Sequence, residues 1–132
     1  MQNINYNEID KEMRGLIKAL NDNGYATKFC CVGLNHDRKP YPYVIFDESL
    51  TDDKAMELFC KIRDTETLTS IDIVKWIRSN DDEVLINWKL EYGDFNSVPY
   101  KERVQIGAYN IIINDTNLIE EKLKNNSPSD LK

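Results

Sequence analysis

Between Ile9 and Gly33 the hydrophobic period of the chain changes at a defined point, and no other feature restricts the possible folds as strongly. Ile9, Met13, Leu16 and Leu20 recur at helical spacing, whereas Tyr25, Thr27, Phe29 and Cys31 alternate as residues of a half-buried strand do. Asn23-Gly24 marks the switch, because a glycine just past the last apolar helical position accepts the left-handed conformation that ends many helices. Lys28 reports the wet side of the strand. Ala26, Lys28 and Cys30 are therefore expected on one face, and Phe29 and Cys31 on the face toward the helix.

The same logic extends along the chain. Tyr43 to Asp47 (YVIFD) reads as a second strand pairing with the first, reached through the proline-punctuated connection His36 to Tyr43. Ser49 to Asp53 supplies cap residues and early negative charge for a helix with Ala55, Leu58, Phe59 and Ile62 on one face and Cys60 near its buried edge. Two further strands are expected over Thr69 to Ser79 and Glu83 to Tyr92, joined by a turn at Asn80-Asp81-Asp82. Val84, Ile86, Trp88 and Leu90 then form one inner face, joined by Val74 and Trp76 if the turn centres on Asp81. Both tryptophans thus read as core. Pro99 suits the start of a last helical region, which Gly107 and Asn114 to Asn117 (NDTN) predict to be kinked or split.

The order α-β-β-α-β-β-α defines an α+β fold, a mostly antiparallel sheet of about four strands with helices on one face. A chain of 132 residues can bury one core, so residues 1–124 are expected to form a single domain, with 125–132 a disordered polar tail. No glycine-rich phosphate loop follows a strand, which argues against a doubly wound nucleotide fold. The polar N-terminus and the absence of a bilayer-length apolar run point to a cytoplasmic protein without a membrane span. Three cysteines, Cys30, Cys31 and Cys60, cannot all pair within one chain and are expected to be reduced. A net charge of −6 argues against general nucleic-acid binding, which draws its affinity from a basic face.

Several constellations invite chemistry. Cys30, Cys31 and His36 suggest zinc, but the paired spacing of a four-ligand site is missing, so neither a metal nor a cofactor is expected. Cys31 or Cys30, just before Gly33, is a candidate nucleophile, and a thiol-imidazole pair in this chain must use His36, the sole histidine. The acidic groups Asp47, Glu48, Asp52, Asp53 and Asp81, Asp82, Glu83 fit helix capping and a solvated turn better than a cation site. Cys30, Gly33, His36, Arg38, Lys39, Tyr41 and Tyr43 form the best ligand candidate, combining a glycine turn, cations and stacking rings in an acidic chain.

The segment GYATKFCCVGLNH resembles a motif of small Gram-positive bacterial and phage proteins, roughly G-Y-x-T-x-x-C-C-x-G-H, matched by Gly24, Tyr25, Thr27, Cys30, Cys31 and Gly33. Leu34 stands where that motif has histidine, and His36 follows two residues later. The resemblance implies a small α+β domain of phage or mobile-element origin, with no family activity to transfer. A more distant similarity is to the Ser-Cys-Ser-Gly-Arg segment of wybutosine-synthesis methyltransferases, whose arginine is missing here.

Together these features read as a non-enzymatic, phage- or prophage-encoded protein that inhibits or sequesters a host component, a host protein or a small ligand. An anti-defence role is one concrete version. The alternative is an enzyme or binder acting on a nucleotide or RNA through Cys30 to Tyr43.

Overall fold

The computed structural model describes residues 11–31, 43–93 and 108–125. A 3-10 turn, Lys11–Met13, leads into helix α1, Arg14–Asp22, which buries Leu16, Ile17, Ala19 and Leu20 along one stripe. Gly24 ends it as expected, at φ 88°, where its N–H donates to the Asn21 carbonyl. Strands β1 (Thr27–Cys31) and β2 (Tyr43–Phe46) follow, then helix α2 (Asp52–Ile62), the strands β3 (Ile71–Ser79) and β4 (Val84–Tyr92), and helix α3 (Ala108–Asn125). The element order is the α+β order read from the sequence. The four strands form one antiparallel sheet in the order β1-β2-β4-β3.

One sheet face meets the helices. Val44, Phe46, Leu90 and Tyr92 are fully buried there, against Met13, Leu16 and Leu20 from the first helical segment, Leu58 of α2 and Ile112, Ile119 and Leu123 of α3. Cross-strand register ties this face together, with Val44 opposite Leu90 and Leu90 opposite Ile73.

Four details depart from the sequence reading. First, the register of β1 on β2 shifts between Thr27 and Phe29, so that Thr27 pairs with Phe46 but Cys30 with Val44 and Cys31 with Tyr43. The extra residue of this bulge, Lys28, breaks the period-2 count on which the faces of Phe29 to Cys31 were assigned. Second, Ser79 pairs with Val84, leaving a four-residue turn whose centre lies between Asp81 and Asp82 rather than on Asp81. Asn80 builds it, its side-chain oxygen accepting from the N–H groups of Asp82 and Glu83, each at 3.0 Å. That half-residue change moves Val74 and Trp76 to the outer face, opposite Lys89 and Asn87, because a register slip of one exchanges the two sides of a strand. Trp76 is half-buried there between the Arg78 guanidinium, 4.0 Å from the ring centre, and the Lys89 ammonium at 4.7 Å.

Third, α3 runs unbroken through Asn114 to Asn117. Side chains such as Asp and Thr disturb helices by bonding to nearby backbone, but here they are engaged elsewhere. Asp115 accepts from the Leu68 N–H (2.8 Å), the Thr69 N–H (2.9 Å) and the Thr69 hydroxyl (2.6 Å), and Thr116 shares a hydrogen bond with the Tyr92 hydroxyl. The expected helical start at Pro99 lies outside the described residues. Fourth, Cys60 is exposed rather than at the buried edge of α2, and Phe59 is partly exposed.

Between α1 and β1, Tyr25 is buried and its hydroxyl donates to Glu57 at 2.6 Å, with Lys54 and Lys61 over its ring. Burial, reinforced by Glu57, pushes the Tyr25 phenol well above its ordinary pKa. The Tyr25 hydrogen bond, with lesser help from Lys54 and Lys61, holds the Glu57 carboxyl below the usual carboxylate range. A carboxyl depressed in the folded state contributes stability above its unfolded pKa and loses it as pH falls through the folded value. Tyr25→Phe should therefore flatten the acid limb. Urea midpoints from about pH 7 down to about pH 3 should fall less for the variant than for the parent. Parallel curves would show that this contact does not contribute to acid sensitivity.

Candidate functional site

The sequence-nominated segment is only partly visible. Gly33, His36, Arg38, Lys39 and Tyr41 lie outside the described residues. Cys30 and Cys31 are placed by their backbone, with Cys31 paired to Tyr43, and Tyr43 is half-buried in the same cross-strand row as Glu91. Of the acidic groups, Glu48 binds Lys28, the Asp47 side chain accepts from the Ser49 N–H at 3.0 Å, and Asp53, Asp81, Asp82 and Glu83 are exposed. Among the described residues no cluster of three His, Cys, Asp or Glu side chains could hold a metal ion.

A different site emerges where α2 crosses the β3-β4 hairpin. Thr51 caps α2 by accepting from the Lys54 N–H at 3.2 Å, which fixes Asp52 in the first turn and over the sheet. One Asp52 oxygen accepts from the Trp88 indole N–H at 3.0 Å and from the Lys75 ammonium at 3.1 Å; the other oxygen lies 3.2 Å from the same ammonium. The Lys75 hydrogen bond, with that of Trp88 second, holds the Asp52 carboxyl below its usual range. Lys75 also sits 5.6 Å from the centre of the Trp88 ring. With its indole N–H spent on Asp52 at the groove mouth, Trp88 is half-buried instead of being the core residue its alternation suggests.

Asp52, Ala55, Met56, Phe59, Ile73, Lys75 and Trp88 enclose an open, largely apolar groove of about 360 Å³. Beyond it, among the described residues, the inner face of the hairpin becomes exposed toward the tip. Nine-residue strands span about 30 Å, whereas the eleven residues of α2 span about 16 Å, so the helix stops short of the hairpin tip. The inner-face pairs run Ile73-Leu90, Lys75-Trp88, Ile77-Ile86 and Ser79-Val84 toward the tip. Leu90 is fully buried, while Ile86 is 44%, Ile77 62% and Val84 66% exposed, and Met56 on the groove wall is 69% exposed. Single exposed apolar residues are ordinary, whereas here they form a row continuous with the groove. The length mismatch was the sequence signal that could have revealed it.

The groove offers one ion pair, an indole and aliphatic walls, with the carboxylate and ammonium already satisfied by each other. No helix among the described residues is long and apolar enough to cross a membrane.

Comparison with protein families supplies the setting, for a model described as YoqC prophage protein matches residues 1–127. The chain belongs to the YoqC prophage protein family. No curated protein and no solved structure matches it. Family membership agrees with the small phage or prophage protein anticipated from the sequence, and it covers the whole of α1 to α3, including the groove.

Proposed function

We propose that this YoqC family member is a single-domain, cytoplasmic, acidic binding protein that inhibits or sequesters a host component and performs no chemistry of its own. Anti-defence action is the concrete version, for instance by occupying the basic surface of a nucleic-acid-binding immune protein. The observation that carries the reading is the uncovered apolar row Ile77, Val84 and Ile86, continuous with the Trp88 groove, on a chain of net charge −6. Apolar area supplies affinity for a protein partner, and the surplus of carboxylates speeds encounter with a basic one.

Affinity capture from host lysate with the full chain tests this. A stoichiometric host protein should be retained by the parent and by Asn117→Glu, which adds the same charge on the exposed surface of α3, and lost at least about tenfold by Ile86→Glu. Equal retention by both variants would remove the groove from the function. The alternative, nucleotide or RNA action through Cys30 to Tyr43, predicts instead a nucleotide or RNA released when the purified protein is denatured.

A further inference from the structure

We infer that the groove and the uncovered end of the sheet receive an amphipathic helix of a partner protein, with apolar anchors flanked by lysine or arginine. The inference rests on the binding reading above and adds the chemistry of the occupant. Shape argues for a helix. The helical layer that covers this sheet face ends, among the described residues, with the first turn of α2, and the exposed inner face runs from Lys75 to Ser79, four steps along the strand or about 13 Å, the length of about nine helical residues. A second helix laid beyond Asp52 would complete that layer, placing side chains at i, i+3, i+4 and i+7 over Trp88, Ile86 and Ile77. A bound strand would add to an edge of the sheet and leave this face as it is.

Charge selects the flanks. Asp52 and Asp53 are exposed at the near end of the strip, and Asp81, Asp82 and Glu83 are exposed at the hairpin turn that closes the far end. Among the described residues the one cation lining the groove, Lys75, is already joined to Asp52. An occupant therefore meets the Asp53 carboxylate at one end and those of Asp81, Asp82 and Glu83 at the other, across a largely apolar floor. A second copy of this chain would bring another net charge of −6 and the same acidic ends against them, which disfavours self-association and favours a basic partner.

The probe is a fluorescein-labelled, tryptophan-free peptide of about 14 residues with leucines along one face and lysines beside them, and a twin with glutamate for each lysine. Both are titrated with the full-length protein by anisotropy at roughly 0.05 M and 0.15 M salt. The lysine peptide should bind at least about tenfold more tightly than its twin, with the gap narrowing as salt rises. Ile86→Glu should weaken it at least about tenfold while lowering the thermal midpoint by no more than a few degrees, because that side chain is 44% exposed. Binding should also shift tryptophan emission to the blue, and Trp88→Phe, which leaves Trp76 in place, should abolish the shift.

Equal affinity for the two peptides, or no binding of either, would overturn the inference. So would binding that is insensitive to Ile86→Glu and silent at Trp88, or self-association of the parent that Ile86→Glu abolishes. Failure with both peptides while host-protein capture still depends on Ile86 would refute the basic helix and leave the binding reading standing.

Discussion

Asp115→Ala should destabilise the protein by about 3 kcal/mol and lower its thermal midpoint by about 10 °C. Asp115 lies in the middle of α3, fully buried, and it accepts two backbone N–H groups and one hydroxyl from the Leu68-Thr69 segment that leads into β3. Alanine leaves these donors without an acceptor, two of them in the buried Thr69, and each unmet buried donor costs about 1–3 kcal/mol. Water reaching the less buried Leu68 offsets part of that sum. Asp115→Asn should cost less, about 2 kcal/mol, since one oxygen remains while the new amide group opposes an N–H. Hydrogen exchange locates the effect: the Leu68 and Thr69 amides should lose protection in both variants. An unchanged midpoint together with protected amides would mean that α3 does not anchor this segment.

Leu90→Ala and Ile86→Ala should give opposite results although the residues share one strand and one face. Leu90 sits opposite both Val44 and Ile73 in the sealed part of the sheet, where removing the side chain leaves a cavity and costs about 3 kcal/mol. Ile86 is 44% exposed, so its truncation should alter stability by no more than about 0.5 kcal/mol. Urea denaturation of the two variants decides the matter. A loss at Ile86 comparable with that at Leu90 would show that the outer half of the hairpin is covered in solution.

That contrast also shows where sequence reasoning reached and where it stopped. The change of period at Asn23-Gly24 located the end of α1 and the start of β1, because glycine at positive φ serves a specific backbone need. Alternation identified β3 and β4 within a few residues, yet alternation carries no phase across a turn. Whether Trp76 or Lys75 faces inward depends on how Asn80 closes four residues, a local hydrogen-bonding matter that periodicity does not encode. Asn114 to Asn117 looked like a helix breaker for a related reason. The propensity of Asp115 and Thr116 assumes local partners, whereas their actual partners lie 46 and 24 residues away in Thr69 and Tyr92. The groove stayed hidden because it shows only when the length of α2 is set against that of the hairpin, a comparison that periodicity within each element does not make.

The register of the sheet has a consequence for how this protein can change over generations. Cys31, Tyr43, Glu91 and Asp72 form one cross-strand row, and Ser79 with Val84 forms the row at the far tip, seven residues or about 23 Å along the strands. Substitutions separated by more than about 10 Å act nearly independently. Under the proposed host-binding role, a prophage lineage is free to rewrite the apolar tip as its target drifts without disturbing the row that begins at Cys31, so that the two ends of one sheet can be tuned apart.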